Sequence, residues 1–194
     1  MIITIARQCG CGALAIGEML ADRLGLVLYT RQMLMDMARE QGLENEMGYF
    51  FDERPVDDLL MAISDRNVAR DEIKMRFRKF FHRMIGTQDC IVIGRCGNSL
   101  FADRPDLVSF FLKGNREQRV AHLAAVEGIS RWQAERKVSE TDDHRMSYHK
   151  YYTGLTWGNA DDYDLCIDCL RLGAEATADV MMAYINACKQ AERK

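Results

Sequence analysis

The feature that most constrains the fold lies at the front of the chain. Ile2–Ala6 is a short apolar run rich in β-branched residues, and it enters a turn carrying Gly10 and Gly12. From Ala15 onward, Ile16, Met19, Leu20 and Leu24 recur at spacings of three and four, and Gly25 closes the segment. A buried strand, a glycine loop and an amphipathic helix in that order make the first βα turn of a parallel sheet. In such a turn the loop N–H groups and the helix N-terminus face an anion together.

The rest of the chain repeats the alternation. Leu26–Tyr29, Cys90–Ile93, Leu107–Leu112 and Asp164–Ile167 read as short buried strands. Helical patterns cover Arg31–Gln41, Val56–Ile85, the segment opened by Asn115, and the segment after Gly173. Glu44–Pro55 reads as loop with partial helix. Ser130-Arg-Trp-Gln133 has the form of a capping box, so a further helix starts there. Short strands alternating with long helices argue for an α/β domain: a parallel sheet with helices on both faces. No repeat, low-complexity tract or linker divides the 194 residues, which suit one domain.

Composition narrows the setting. A formal net charge of −3 gives no whole-chain basic signature for nucleic acid. Arg66, Arg70, Lys74, Arg76, Arg78, Lys79 and Arg83 do cluster, which reads as a solvated helix face or as one or two cations turned to an anionic ligand. The apolar runs are far shorter than a bilayer span, so no membrane partner is expected. The apolar start lacks a basic n-region and reads as a strand, not a leader. Seven cysteines without a secretory signal point to reduced thiols and a cytoplasmic setting. Cys9, Cys11, Cys166 and Cys169 have no supporting histidine pattern, so no metal site is assigned to them.

The first turn departs from the intact phosphate loop, G-x-x-x-x-G-K-[ST]. With Gly12 set on its last glycine, Arg7 takes the place of the first. Ala13 stands in the lysine place and Leu14 in the Ser/Thr place. The first loss removes a phosphate cation and the second a Mg²⁺ ligand.

Three later segments add to this loop. Ile93-Gly-Arg-Cys-Gly-Asn98 follows a buried strand. Glu127-Gly-Ile-Ser130 opens a basic helix. Asp142-Asp-His-Arg145 leads into Lys150-Tyr-Tyr-Thr-Gly154 and Trp157-Gly158. This ordered set, with Ile5-Ala-Arg-Gln-Cys-Gly10 before it, resembles the cytidylate-kinase-like family of P-loop kinases, over nearly the whole chain. The family shows S-R-Q/E-x-G-S-G-G-R at its loop, V-x-G-R-C after a later strand, and K-Y-Y-T-G-x-x-W-G further on. The resemblance implies a three-layer P-loop kinase fold with a five-stranded parallel sheet. It also implies a helical acceptor-binding insertion over residues 31–86 and a lid over residues 128–158. ATP and Mg²⁺ would be the cofactors, and a pyrimidine monophosphate such as CMP the acceptor. Against the family pattern, the loop serine is Cys11, the second adjacent glycine is Ala13, the loop arginine is Leu14, and an acidic residue after the second strand is Thr30.

Phosphoryl transfer rests on positioning and charge neutralisation, so arginines near the phosphates are the expected machinery. Arg95, just past a strand's carboxyl end, is the candidate for the acceptor phosphate, with Arg31 beside it. Arg145 is the candidate clamp on the transferring group. Arg119 could meet the donor's base or phosphates, and Asp142 the acceptor's base or the Mg²⁺ waters. Arg7, Gly10, Cys11, Gly12, Ala13 and Leu14 would hold the donor phosphates. Leu14 could also bury its side chain under the loop. Tyr148, Tyr151, Tyr152 and Trp157 read as packing, and His144 and His149 as surface residues. Three functions stay open: a monophosphate kinase, a catalytically weak nucleotide sensor, and a kinase for another small hydroxyl compound. Oligomeric state is not legible.

Overall fold

The computed structural model describes residues 1–42 and 67–191. Five strands form one all-parallel sheet: β1 (Ile2–Arg7), β2 (Val27–Tyr29), β3 (Cys90–Ile93), β4 (Leu107–Lys113) and β5 (Leu165–Asp168). Their order is β2-β3-β1-β4-β5, so the glycine-loop strand is central. In register, Ile3 lies between Ile91 and Val108, and Ile5 between Ile93 and Phe110.

Side chains alternate across the sheet, as period two requires. Ile3, Ile5, Ile91, Ile93 and Phe110 face one layer, where α1 (Ala13–Leu24) and α8 (Ala174–Ala191) supply Ile16, Leu20, Met181 and Ile185. Ile2, Cys90 and Val92 face the other layer. There α2 (Arg31–Glu40) and α3 (Asn67–Ile85) supply Leu34, Phe77, Phe81 and Ile85. A satellite cluster of Cys9, Val120, Leu123, Ala134 and Val138 joins the glycine loop to α5 (Arg116–Glu127) and α6 (Arg131–Thr153). The short helices α4 (Gly97–Leu100) and α7 (Cys169–Leu172) follow β3 and β5.

Most expected elements are present, with small shifts of boundary. β2 starts at Val27 because Leu26 still donates to the Ala21 carbonyl of α1. β5 starts at Leu165 because the Asp164 carboxylate accepts from the Ser109 N–H at 2.7 Å and from its hydroxyl at 2.8 Å. The capping box forms, with Ser130 and Gln133 satisfying each other's backbone N–H. α6 then runs unbroken for 23 residues to its left-handed cap, Gly154. The loop expected over Glu44–Pro55 and the first part of the helix expected from Val56 lie outside the described residues. No described helix is long and apolar enough to cross a membrane.

Candidate active site

The loop between β1 and α1 is shaped by what holds its carbonyls. The Cys9 carbonyl accepts from Arg119 Nη1 at 3.0 Å, and the Gly10 carbonyl lies 2.8 Å from His122 Nδ1. The Cys11 carbonyl accepts from the Cys169 thiol at 3.4 Å. All peptides among the described residues are trans, so each N–H points opposite the carbonyl of its own peptide unit. With these carbonyls drawn back onto α5 and the first residue of α7, the N–H groups of Gly10 and Gly12 turn the other way, to the cleft. Gly10 must be glycine on two counts: its φ is +83°, and a Cβ would lie 2.4 Å from the Arg119 carbonyl oxygen. Gly12 caps α1 with no side-chain hydrogen bond, leaving the first-turn amides of a 12-residue helix to an anion.

Behind the loop, α5 and α6 are bolted together and to it. Asp142 accepts from the Cys9 N–H at 2.7 Å and from Arg119 Nη1 at 2.6 Å. Arg119 Nε also donates to the Gly114 carbonyl at 3.1 Å. Both side chains are nearly buried, at 8% and 13% exposed. The sequence placed Arg119 at the donor nucleotide and Asp142 at the acceptor or Mg²⁺. In the structure they bond to each other and to Cys9 of the loop, because α5 packs its Arg119–His122 face directly against it.

The cleft in front of the loop has a volume of about 600 Å³. Gly10, Cys11, Gly12, Ala13 and Leu14 make one wall, and Arg7, Arg31, Arg95 and Arg145 reach it from four separate elements. Nine of the eleven expected site residues thus share one cavity. Cys11 contributes backbone only. Its side chain is 2% exposed, and a hydrogen bond with Cys169 together with burial pushes its thiol up from the ordinary range. Leu14 is not tucked under the loop: it is 51% exposed, because it sits on the outer side of the first turn of α1, whereas Ala13 is buried. Arg145 donates to the Arg7 carbonyl at 3.2 Å, which ties the middle of α6 to the end of β1. Thr30, in the place of the family's acidic residue, caps α2 by accepting from the Met33 N–H.

The turn after β3 is the second wall. Gly94, Arg95 and Cys96 are all left-handed, with φ of 73°, 58° and 52°. Arg95 and Cys96 are the two non-glycine residues with positive φ among the described residues. Such conformations cost about 1–3 kcal/mol each and gather at functional sites. Arg95 is 3% exposed and lies between the cleft and a smaller cavity of about 20 Å³.

The remaining expectations divide. Phe77 meets Tyr152 edge-on at 5.2 Å, and Phe111 meets Trp157 at 5.5 Å, so these aromatics do pack. Of the basic stretch in α3, Arg78 is tied to the Leu100 carbonyl, and Lys79 and Arg83 face solvent. His144 is exposed, as expected, but His149 is not a surface residue: it is 3% exposed under the Arg95 turn. Burial pushes its imidazole down to about 4, against an upward pull from Asp162. His122 was missed altogether. Its signal is its place three residues after Arg119, on the same face of α5.

Comparison with known proteins agrees with this geometry. The model of the cytidylate kinase-like family matches residues 2–170. A cytidylate kinase of Methanopyrus kandleri is 25% identical over 202 residues, covering 99% of this chain and 96% of its own. One from Halorubrum lacusprofundi is 28% identical over 190 residues, covering 96% of this chain and 90% of its own. The crystal structure of a protein from Eubacterium ventriosum superposes with a TM-score of 0.74 at 25% identity, covering 96% of this chain and 98% of that one. A gluconokinase from Sinorhizobium meliloti shares the fold, with a TM-score of 0.53 at 14% identity, covering 97% of this chain and 95% of its own. With the family model spanning most of the chain and its loop, its arginine turn and its long basic helix meeting on one cleft, the chain belongs to the cytidylate kinase-like family.

Proposed function

We propose that this chain is a nucleotide kinase that transfers the γ-phosphoryl group of ATP to a pyrimidine nucleoside monophosphate such as CMP. One observation carries the reading: a backbone anion site and four arginines from separate elements converge on a single cleft. Phosphoryl transfer needs little more from a protein than aligned oxygens and nearby positive charge.

The donor's phosphates fit the loop, where the Gly10 and Gly12 amides and the α1 N-terminus would receive them. Mg²⁺ finds no hydroxyl at Leu14, and the described residues contain no group of three metal-ligating side chains. When bound with the nucleotide, the ion would sit on its phosphates and keep several waters, as Mg²⁺ usually does. Arg95 and Arg31 would hold the acceptor phosphate. Arg145, tied to the Arg7 carbonyl, would meet the transferring group from α6. Arg119 and Asp142 would act through the loop they brace.

A second reading, a nucleotide sensor with little turnover, is favoured by Ala13 and Leu14, which offer neither a cation nor a hydroxyl. One experiment separates the readings: ADP release and melting temperature measured with ATP–Mg²⁺ and a panel of CMP, dCMP, UMP, AMP and small hydroxy acids. The kinase reading expects ADP release that requires a pyrimidine monophosphate. It also expects stabilisation by about 2.7 kcal/mol at a hundred times the dissociation constant of ATP. A melting shift without ADP release on any acceptor favours the sensor. Release with a hydroxy acid alone reassigns the acceptor.

A further inference from the structure

The 20 Å³ cavity behind Arg95 has room for one water-sized group. Its walls come from the middle of the sheet and the end of α6, and include Thr4, Arg95, Asn98, His149 and Trp157. Thr4 is 2% exposed and His149 is 3% exposed. Neither Thr4 Oγ1 nor His149 Nε2 has a hydrogen-bond partner among the described residues. Buried polar atoms are nearly always paired, and an unpaired one destabilises the fold.

Two such atoms on one small cavity, with the Tyr163 hydroxyl a third beside them, call for an explanation. Valine at position 4 would fill the same volume without the penalty, and an apolar ring at 149 would leave no orphaned nitrogen. The methyl of Thr4 is already seated against Gly97, where a Cβ would come within 2.8 Å of Thr4 Cγ2. A neutral imidazole offers one donor and one acceptor, and its tautomer follows the partner. A hydroxyl also works both ways. The pair can therefore satisfy a group that donates and accepts at once. The cavity shares Arg7, Arg95 and Arg145 with the large cleft, so a ligand held there lies next to it.

We propose that Thr4 and His149 are specificity residues: they receive one small polar substituent of the acceptor, a hydroxyl or an exocyclic amino group, while its phosphate rests on Arg95. This rests on the monophosphate-kinase reading and deepens it. A site built to hydrogen-bond a substituent rejects analogues that lack it, because its own polar atoms are then left unpaired.

The test uses the full chain with Thr4→Val and His149→Phe, and three acceptors. CMP carries a 4-amino group and a 2′-hydroxyl, dCMP lacks the hydroxyl, and UMP lacks the amino group. Wild type is expected to reject one of the two analogues by about tenfold or more in kcat/KM, roughly the worth of one buried hydrogen bond. Each variant should raise the KM for CMP about tenfold and erase that rejection, with the KM for ATP moving less than twofold. Thr4→Val, the isosteric change, should also melt at the same temperature as wild type or higher, because an orphaned polar atom has gone; His149→Phe adds bulk and is judged by its acceptor ratio. A purely structural role would lower the melting temperature and spare the acceptor ratio. Variants that melt lower and keep the ratio show a cavity that holds structural water, and overturn the proposal alone. A wild type that turns over no monophosphate overturns the proposal and the functional reading together.

Discussion

The glycine loop after β1 and the turn after β3 face the same cleft, yet they hold their shapes by different means. The loop places glycines where φ is positive and draws its carbonyls back onto Arg119, His122 and Cys169. Its ligand face is backbone. The turn forces Arg95 and Cys96 into left-handed geometry and sets a buried guanidinium at the cleft. Its ligand face is a side chain. A backbone site survives side-chain drift, and Cys11, Ala13 and Leu14 all lie in the loop. A side-chain site has no such tolerance.

The sharpest way to break the loop is from behind. Asp142→Ala removes the anion from a nearly buried pair and strands both the Arg119 guanidinium and the Cys9 N–H. Removing one partner of a buried pair costs about 3–5 kcal/mol, so a drop in melting temperature of about 10 °C is expected in thermal unfolding. Replacing both partners, Arg119→Met with Asp142→Leu, should return most of that stability. If Asp142→Ala melts like wild type, the loop is not held by this brace.

The floor beneath the turn has a pH signature. In the folded chain burial holds the His149 imidazole at about 4, against the 6.5 of a free imidazole. Asp162 pulls it up, and Arg95, Tyr148 and Tyr163 share its cavity. Between those two values the unfolded chain binds a proton that the folded chain refuses. The contribution is therefore complete above pH 6.5 and is lost as pH falls toward 4, by roughly 3 kcal/mol in all. Urea titrations across that window should show this slope in wild type and a flatter one in His149→Phe. Equal slopes would mean that His149 charges freely and is not shielded by the turn.

Arg95→Gly tests the turn's side chain with its backbone spared. Glycine accepts a φ of 58° without strain, so melting should move by no more than a few degrees. ADP production should fall about 10- to 150-fold, the worth of a charge-assisted hydrogen bond. A variant that unfolds would make Arg95 a structural residue. A variant that keeps full activity would move the acceptor phosphate to Arg31 or Arg145.

The difference between the two walls also decides how much could be read in advance. Strand and helix alternation made the sheet legible, and the Gly10–Gly12 spacing made the loop so. Arg95 was visible through the motif around it, but its left-handed backbone was not, since arginine gives no sign of positive φ. His149 passed for a surface residue because α6 is polar along most of its length, and its apolar stripe is broken between Val138 and Tyr148. Only the packing of the helix end beneath the Arg95 turn buries it. Arg119 and Asp142 were visible as charged residues, but their bonds to each other and to Cys9 of the loop were not. A residue type announces a charge, and only the fold says what the charge is spent on.

The smallest expected effect concerns the loop's missing cation, and the structure changes where it should be restored. Ala13 is 6% exposed, so a lysine there would have to displace core neighbours. Leu14 is 51% exposed and lines the cleft, so Leu14→Arg adds a cation at no packing cost. An exposed cation near phosphates already held by backbone amides gains about 0.3–1 kcal/mol, because water screens it. That is roughly a two- to fivefold lower KM for ATP, with the melting temperature unchanged and the KM for the acceptor unmoved. A gain of a hundredfold or more would mean that the wild-type loop is crippled by its lost charge, and that the backbone and the four arginines do not suffice. No gain at all, in a chain that already turns over, would mean that the amides of Gly10 and Gly12 and the N-terminus of α1 hold the donor's phosphates unaided.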